Sequence, residues 1–488
     1  MPCCDATPAG PSEFQFNLSS RLHRASTIMD ERMGDGWLLY APDFTGLPVV
    51  VDDRHHNVLQ QFAGGATAGE VISTCTNKLG LPFEFVLESI GFLEEKGFVR
   101  QAPAALPYPP AGDAPAPSSM SIWLHLNGDC NLACSYCFVE EKHRKVMADE
   151  VQDKVAAAIA YTVKHRGVKS VNLKLAGGEP TLNVALMERA QEKVAAQLAG
   201  LEVNFMTSVL SNGTAVSPRL LEFLKRPKTS IGISVDGYGE AHDIHRKFKG
   251  TNRGSWKVIE ENIRRLLDRG IRPHIMTTIG PETLETLPDL LEWVFGLGLT
   301  TRISVVRNPD CTWNYSQIET ERYDRYCKQL EENFERALTR MEGSSIAIDL
   351  TNSLAVCELS FEYPAFSGVT CGIGRDHVVI TTDGCVAACP MTVHEGGVSL
   401  EDDLLACCHR AFPHSPAGRQ QSDGEDCVAC QWYPVCVGGC PTTNLRINGA
   451  PFSKSPFCSF YKYFVPRYVR FLGRKITQNN TIHTNAGH

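Results

Sequence analysis

Three cysteines, Cys130, Cys134 and Cys137, stand close together directly after an apolar, strand-like run. The spacing of three residues and then two allows one short loop to present three thiolates to a single metal cluster. Three thiolates ligate three irons of a [4Fe–4S] cluster and leave the fourth iron without a protein ligand. An open metal position is where substrate chemistry takes place, whereas a closed four-thiolate site mostly supports structure or electron transfer. The loop therefore predicts an enzyme rather than three buried structural thiols.

The composition favours metal ligation over a disulfide framework. The chain has 488 residues, 19 of them cysteine, and a formal net charge of −8. We expect neither a signal peptide nor a transmembrane helix, because no suitable basic and apolar segments are present. The expectation is a cytoplasmic protein of two to four domains, in which cysteines bind metal more often than they form disulfides. An acidic chain without a basic tract argues against a nucleic-acid partner, and no membrane association is predicted.

A Pro/Ala-rich segment, residues 102–119, divides the chain and is expected to form an extended linker. Before it, residues 1–101 show short strand patterns, three segments of helical period and a final short strand, which indicates a winged helix. His55 and His56 open the first of these helices and are expected to be solvated rather than to bind metal. After the linker, strand and helix patterns alternate over residues 120–345, which predicts a parallel sheet.

Six strands are expected at residues 121–127, 171–176, 203–211, 230–235, 272–279 and 301–306. Because no GxGxxG sequence follows the first strand, an α/β fold with a partial β/α barrel is favoured over a doubly wound sheet. Residues 346–465 are rich in cysteine and turn residues, which is typical of a domain folded around metal. Residues 466–488 are expected to be a C-terminal tail.

Polar motifs follow several of these strands, at the edge where parallel α/β folds place their chemistry. The segment Ala176-Gly177-Gly178-Glu179-Pro180 follows the second strand. Paired glycines let the backbone approach a ligand closely, and the glutamate offers a carboxylate to an ammonium group. Similar polar positions end the third and fourth strands.

The cysteine loop followed by this Gly-Gly-Glu-Pro segment resembles the radical S-adenosylmethionine (SAM) superfamily, whose fold is a partial (β/α)6, TIM-like barrel. The resemblance implies that the loop holds a [4Fe–4S] cluster and that the amino and carboxylate groups of SAM chelate its open iron. It implies that the Gly-Gly-Glu segment holds the SAM ammonium group, that Ser234 contacts the ribose and that Arg246 pairs with the carboxylate. Ordinary strand-end polar residues are the alternative for these last two positions. The candidates for cofactor binding are Gly177, Gly178, Glu179, Asn212, Ser234 and Arg246.

Seven cysteines of the C-terminal region have a spacing that resembles the SPASM domain, which carries two auxiliary [4Fe–4S] clusters in radical SAM enzymes that modify peptides. They are Cys371, Cys389, Cys427, Cys430, Cys436, Cys440 and Cys458. Zinc is the alternative for the run from Cys427 to Cys440, since CxxC pairs suit zinc equally well.

The resemblance also implies how these thiols divide between two clusters. The distal cluster would be held by Cys427, Cys430, Cys436 and Cys458. The nearer cluster would be held by Cys371, Cys389 and Cys440, with Cys357 as its fourth ligand unless a substrate thiolate takes that position.

The N-terminal winged helix resembles the element that binds leader peptides, where an extended peptide adds a strand to a small sheet. Together the resemblances imply a radical SAM/SPASM maturase of a ribosomally synthesised precursor peptide. Such an enzyme would cleave SAM reductively to a 5′-deoxyadenosyl radical, abstract hydrogen from the peptide and install a crosslink, a thioether being favoured over a carbon–carbon bond. It would use SAM, three [4Fe–4S] clusters and a low-potential electron donor such as flavodoxin or ferredoxin.

Two other functions stay open. An anaerobic sulfatase maturase would convert a cysteine or serine to formylglycine, but that family places an aspartate directly after the cysteine that matches Cys389, where this chain has Pro390. A non-enzymatic iron–sulfur or zinc protein would leave Glu179, Ser234 and Arg246 at strand ends without a purpose. No residue is assigned as the catalytic acid or base.

Overall fold

The computed structural model describes residues 18–44, 47–101, 117–139, 145–308, 310, 319–344, 354–356, 359, 371–414, 427 and 430–478. Most of the expected linker, and Cys357, lie outside these residues. The chain divides into two compact units. The first comprises residues 1–107, 361–364 and 467–488, and the second comprises residues 108–360 and 365–466.

The first unit contains two small antiparallel sheets and three helices. One sheet has the strand order β5-β1-β6 and the other β2-β3-β4. The elements are β1 (Arg21–Arg24), β2 (Met29–Met33), β3 (Gly36–Tyr40), β4 (Val49–Val51), α1 (Asp53–Gln60), β5 (Ala66–Thr67), α2 (Ala68–Leu79), α3 (Phe83–Glu95) and β6 (Val99–Arg100). The helices follow the sequence pattern because their apolar stripes pack into one core with residues such as Leu39, Val58, Phe62 and Ile90.

A buried ion pair connects the two small sheets. Asp43, which follows β3, accepts two hydrogen bonds of 2.8 Å from the guanidinium of Arg100 in β6, and a third of 2.7 Å from the Thr27 hydroxyl. Burial alone would raise the pKa of Asp43, but the bonds from Arg100 and Thr27 outweigh it and hold the pKa below its ordinary value. The carboxylate is therefore ionised at neutral pH.

The expectation that His55 and His56 are solvated is wrong. The two residues are 1% and 7% exposed. His55 Nδ1 lies 2.7 Å from Asp52, and His56 Nε2 lies 2.9 Å from Asp30. The reason is that the apolar stripe of α1 begins at this turn, so both rings pack inward and the two carboxylates satisfy their polar atoms.

The prediction of a tail from residue 466 is wrong for the residues up to 478, which are helical. Helix α14 (Cys458–Gln478) ends in the first unit, where Arg470 makes bonds of 2.8 and 2.7 Å to Glu31 of β2. Gly473 packs against Met33 and Leu38 so closely that a Cβ atom would lie 2.6 Å from the Leu38 side chain. Apolar residues at helical spacing in this segment bury their side chains, which gives the helix a reason to form.

The second unit is built around a ten-stranded sheet with the order β13-β12-β11-β10-β9-β8-β7-β14-β15-β16. Strands β7 to β14 pair in parallel, and β15 and β16 are antiparallel. An α/β fold with a central, mostly parallel sheet is thus confirmed. The strands are β7 (Ser119–His125), β8 (Ser170–Ala176), β9 (Asn204–Ser211), β10 (Thr229–Ser234), β11 (His274–Ile279), β12 (Thr301–Val305), β13 (Leu354–Val356), β14 (His377–Ile380), β15 (Cys385–Ala387) and β16 (Val398–Ser399).

Helices follow most strands of the parallel part, as expected for β/α units. They are α4 (Asp149–Arg166), α5 (Val184–Leu198), α6 (Pro218–Leu224), α7 (Glu240–His245), α8 (Trp256–Leu267), α9 (Leu287–Gly296), α10 (Thr320–Glu342), α11 (Leu404–Ala411), α12 (Tyr433–Cys436) and α13 (Pro441–Asn448), followed by α14. Among the described helices, none combines the length and the apolar character needed to cross a membrane.

The two faces of the parallel sheet differ in chemistry. Gln191 of α5 donates to Thr207 of β9 and Thr229 of β10, which identifies the face that the helices cover. By strand alternation and register, that face carries apolar side chains that are almost fully buried, among them Leu173 and Ile231. The opposite face, here called the polar face, carries Ser121, Trp123, His125, Asn172, Lys174, Ser208, Ser230, Ser234, Thr278, Arg302 and Ser304.

The polar face is concave. Burial, together with the charges of Lys174 in β8 and Arg302 in β12, lowers the pKa of His377 in β14 to about 3. In a flat sheet β12 and β14 would stand roughly 29 Å apart, six strand spacings, which is too far for Arg302 to act on His377. The sheet therefore curls around its polar face and leaves the apolar face for the helices.

We predict that replacing Asp43 with alanine loosens the first unit. The substitution leaves the Arg100 guanidinium without its carboxylate, and breaking a buried pair in this way costs about 3–5 kcal/mol. Hydrogen–deuterium exchange in peptides from β3 and β6 should accelerate. Because the pKa of Asp43 is lowered in the folded protein, its stabilisation is present at neutral pH and is lost as the pH falls through that lowered pKa. Unchanged exchange in Asp43→Ala at neutral pH would contradict this account, whereas below the lowered pKa the variant and the wild type should exchange alike.

Candidate functional site

The cysteine loop leaves the carboxyl end of β7 and is fixed by the segment after α7. The backbone N–H of Ala133 donates to Lys247 at 2.9 Å, and that of Ser135 donates to His245 at 3.2 Å. Cys130 is buried, whereas Cys134 and Cys137 are half-buried. The structure thus places one thiol inside the protein and leaves two at the mouth of the concave sheet.

The paired glycines after β8 pack directly on the backbone that leads into this loop. A Cβ atom on Gly177 would lie 2.4 Å from the Asn127 carbonyl oxygen, and one on Gly178 would lie 2.1 Å from that of Asp129. The amide of Gly178 donates to Asn127 at 2.8 Å, and the amide of Glu179 donates to Asp129 at 2.7 Å. The close approach expected of these glycines is therefore made to the protein's own backbone, and it holds the cysteine loop in place.

Glu179 is 1% exposed and receives four hydrogen bonds. Its Oε1 accepts from the Thr181 amide at 3.0 Å, the Thr181 hydroxyl at 2.6 Å and the Ser211 hydroxyl at 2.8 Å, and its Oε2 accepts from the Asn212 amide at 2.6 Å. Burial raises the pKa of Glu179, and these donors oppose that shift by favouring the ionised form. The carboxylate thus ties the end of β8 to the end of β9.

Asn212 extends this network to the cysteine loop. Its amide nitrogen donates to Asn131 at 2.9 Å and lies 3.7 Å from the sulfur of Cys130. Its amide oxygen accepts from the backbone and the hydroxyl of Thr214, at 2.9 and 2.6 Å. The position predicted as a cofactor contact therefore sits beside a predicted cluster ligand.

Arg246 is held by a carboxylate that the motif analysis left without a role. Its Nε donates to Asp236 at 2.6 Å, and its Nη1 lies 3.9 Å from the sulfur of Cys134. Asp236 is fully buried and also accepts from the Tyr136 hydroxyl and, at 3.1 Å, from the Thr278 amide of β11. Burial raises the pKa of Tyr136 well above its ordinary value, so the phenol stays a neutral donor.

A buried histidine braces the same segment. The amide of Asp236 donates to His242 Nδ1 at 3.2 Å, so the proton of this ring resides on Nε2, which donates to Ser255 at 3.0 Å. The Ser255 hydroxyl donates to the carbonyl of Arg246 at 2.8 Å. Burial lowers the pKa of His242 to about 3, which keeps the ring neutral in this role.

Ser234, the predicted ribose contact, ends β10 on the polar face and is half-buried. It pairs in register with Met276 of β11. The hydrogen bonds that join Glu179, Asn212, Asp236 and Arg246 do not pass through it.

Four cysteines line one cavity in the C-terminal part of the second unit. The cavity is lined by Cys427, Cys430, Cys436 and Cys458 together with Trp432. Burial, with the three neighbouring thiols, raises the pKa of Cys436 to about 12. Thiols that oppose one another's ionisation in this way suit a cationic metal centre.

A second set of three cysteines also converges. Cys371 is exposed, and it lies close enough to Cys440 and Cys389 for their charges to raise its pKa. The sulfur of Cys389 lies 3.5 Å from the Thr442 hydroxyl, at the start of α13. Cys385 begins β15, pairs with Ser399 and takes no part in this set. The predicted fourth ligand, Cys357, lies outside the described residues.

Comparison with known proteins agrees with this geometry. Residues 125–294 match the model of the radical SAM superfamily. These residues form a radical SAM domain. SAM and a [4Fe–4S] cluster are the cofactors that this domain implies, and the donor sets around Cys130, Glu179 and Arg246 are compatible with both.

The alignments with curated relatives extend beyond the radical SAM domain. A serine-type anaerobic sulfatase-maturating enzyme of Klebsiella aerogenes is 22% identical over 343 residues, covering 69% of this chain and 82% of the relative. A cysteine-type enzyme of the same description from Clostridium novyi (strain NT) is 22% identical over 354 residues, covering 70% and 93%. The solved structure described as native anSMEcpe with bound AdoMet and Cp18Cys peptide is 20% identical, with a TM-score of 0.55 and coverage of 75% and 100%. This last likeness shows a shared fold.

Sequence reasoning missed several residues that organise the radical SAM domain. Asp236 and Tyr136 lie inside motifs that were noticed, but their roles depend on contacts with partners 10 and 100 residues away. A carboxylate two residues after the end of a parallel strand was the available signal for Asp236. Ser211 had no signal beyond its place at a strand end.

We predict that Gly178→Ala disrupts the cluster site of the radical SAM domain. The added methyl group would collide with the Asp129 backbone, which cannot move without shifting the cysteine loop. Iron in the reconstituted protein should fall by about four atoms per chain, one [4Fe–4S] cluster. Gly296→Ala is the matched control, because among the described residues no atom outside its chain neighbours and its own helix backbone lies within 4 Å of its Cβ position. Equal iron in both variants would contradict the proposed role of the glycine.

We predict that Asp236→Asn destabilises the second unit, because it leaves the Arg246 cation buried without its counter-charge. The cost of such a change is about 3–5 kcal/mol, measurable by denaturant unfolding. The double variant Asp236→Asn, Arg246→Gln should lose less stability than the two single losses added together, since both remove one interaction. Strictly additive losses would show that the pair is not coupled.

Proposed function

We propose that this chain is a radical SAM maturase that abstracts hydrogen from a ribosomally synthesised precursor peptide and installs a crosslink, most simply a thioether. The observation that carries the proposal is the convergence of two further cysteine sets, around Cys436 and around Cys371, in the same unit as the radical SAM domain. A radical SAM domain alone needs three cysteines. Additional thiol sets support auxiliary clusters of the SPASM type, which accompany peptide substrates in the family that the sequence resembles.

The expected ligands divide into three groups. Cys130, Cys134 and Cys137 would hold the cluster that binds SAM, and the two C-terminal sets would hold the auxiliary clusters. The SAM-binding cluster supplies one electron for reductive cleavage of SAM, which yields methionine and a 5′-deoxyadenosyl radical that takes a hydrogen atom from a C–H bond. A low-potential protein such as flavodoxin or ferredoxin would provide that electron.

Formation of a thioether requires a second oxidation. The C–H bond loses its hydrogen atom to the deoxyadenosyl group, and the S–H bond of a peptide cysteine is replaced by the new C–S bond. The proton of the S–H bond goes to a base, and the substrate must also give up one electron to an acceptor. An auxiliary cluster provides a one-electron acceptor, which is the physical reason for placing such a centre near the substrate.

The residues of the radical SAM domain would bind and orient rather than react. Glu179 and Asn212 fix the ends of β8 and β9 against the cysteine loop. Arg246 places a cation beside Cys134, where it favours an anionic group or a thiolate. Asp236 holds that cation in position.

Formation of formylglycine is the second candidate, favoured by the names of the curated relatives. The residue directly after Cys389 distinguishes formylglycine formation from crosslink formation. In this chain it is Pro390, which begins the 3₁₀ turn Pro390–Thr392 and offers no carboxylate as a base.

We further propose that the first unit binds a leader peptide. In the sheet β2-β3-β4, strand β2 is contacted by Arg470 of α14 through Glu31, whereas β4 pairs only with β3 among the described strands. An extended peptide could add to the edge of β4 by backbone hydrogen bonds. This assignment rests on the resemblance and on the presence of that edge.

We predict about 12 irons and matching sulfide per chain in anaerobically reconstituted protein, equivalent to three [4Fe–4S] clusters. Cys436→Ser should lower the count to about eight and leave SAM cleavage measurable, because its ligand set is separate from the cysteine loop. Cys327→Ser, a buried thiol outside all three sets, is the control. About four irons, with zinc bound to the C-terminal thiols, would contradict the auxiliary clusters and remove the main support for a peptide substrate.

A further inference from the structure

Strand β7, which lies between β8 and β14, carries a row of buried polar atoms on the polar face. Ser121, Trp123 and His125 alternate along β7, so their side chains lie on the same face and span about 13 Å. Ser121 Oγ, Trp123 Nε1 and His125 Nε2 are all buried, and none has a hydrogen-bond partner among the described residues. His125 is only 5% exposed. Buried polar atoms are nearly always bonded in folded proteins, so three in a row call for a ligand.

The row leads towards the cysteine loop. Trp123 lies between two histidine rings, with centroid distances of 6.4 Å to His125 and 6.3 Å to His377. His125 in turn meets Phe138, the residue after Cys137, at 6.5 Å. A group bound along β7 would therefore lie below the predicted SAM-binding cluster, on the side from which a substrate would face it.

The chemistry of the row favours a hydrogen-bond acceptor. The indole nitrogen of Trp123 can only donate. Its direct cross-strand neighbour in β8 is Lys174, so an ammonium group stands beside the indole. Strands β7 to β12 also place Arg302 on the polar face. This face thus presents fixed hydrogen-bond donors and basic side chains.

We propose that this part of the polar face, defined by Trp123 and Lys174, binds a carboxylate of the precursor peptide, and that these two residues determine specificity for it. The carboxylate comes from an aspartate or glutamate side chain or from the peptide's C-terminus. Trp123 supplies a directed N–H donor, and Lys174 supplies the charge that separates a carboxylate from an amide. His125 completes the wall between this group and the cysteine loop. The inference rests on the proposed function, of which it names the substrate chemistry.

The test uses short peptides and a binding measurement that does not depend on turnover. The full chain, anaerobically reconstituted and saturated with SAM, is mixed with Gly-Gly-Xaa-Gly-Gly blocked at both ends, where Xaa is Glu, Asp, Gln or Leu. A further Leu peptide carries a free C-terminal carboxylate. Saturation-transfer NMR reports affinity, and side-chain deuterium on Xaa reports hydrogen transfer into 5′-deoxyadenosine.

Peptides with a carboxylate should bind on the order of tenfold more tightly than the blocked Gln and Leu peptides. Comparison of the Glu and Asp peptides with the free-terminus Leu peptide identifies the source of the carboxylate. Lys174→Met should abolish the preference of Glu over Gln, and Trp123→Phe, which keeps the ring and removes only the N–H donor, should weaken binding of both. Lys169→Met, at an exposed position just before β8, is the matched control and should leave affinities unchanged.

Equal binding of the Glu, Gln and Leu peptides to the wild-type chain would overturn the proposal, and this comparison needs no variant to fold. Equal effects of Lys174→Met and Lys169→Met would also overturn it, because Lys174 would then contribute no more to carboxylate binding than an exposed lysine outside the face. Absence of SAM cleavage by a protein with full iron content would instead contradict the proposed function, while the NMR affinities would still decide the carboxylate site.

Discussion

The close contact of Gly177 and Gly178 with the backbone of residues 127–129 is the constraint on which the rest of the site depends. Two backbone hydrogen bonds, of 2.8 and 2.7 Å, seal this contact, and a Cβ atom at either glycine would prevent it. The contact fixes where the cysteine loop leaves β7. It also delivers Glu179 to a position where the end of β9 can bind it. Three neighbouring strands thereby share one rigid edge.

Buried charges of this edge are retained because each is matched by several partners. Glu179 has four donors, and Asp236 has Arg246, Tyr136 and the Thr278 amide. Removing ions from water costs several kcal/mol each, so such groups persist only where the surrounding bonds repay the loss. The gain is orientation, because these bonds hold a cation beside Cys134 and an amide beside Cys130.

The two faces of the parallel sheet carry different side chains and play different parts in the fold. One face is sealed by helices over apolar side chains, and the other curls around Lys174, Arg302 and the row on β7. The first unit has its own core and its own buried pair of Asp43 and Arg100.

The sequence by itself determined the cysteine loop, the Gly-Gly-Glu segment and the six parallel strands, because spacing and periodicity are local properties of the chain. It missed β1 and β5, which are four and two residues long and form only by pairing with strands far along the chain, and it missed β2, which pairs with the adjacent β3. It also misplaced His55 and His56 in solvent and took the last helix for a tail, since burial depends on what packs against a residue. Tertiary structure alone decided that Arg246 meets Asp236 and Cys134, the latter 112 residues away, and that the glycines approach the protein's own backbone. Local sequence fixes which groups are available, whereas the curvature and register of the sheet decide which of them meet.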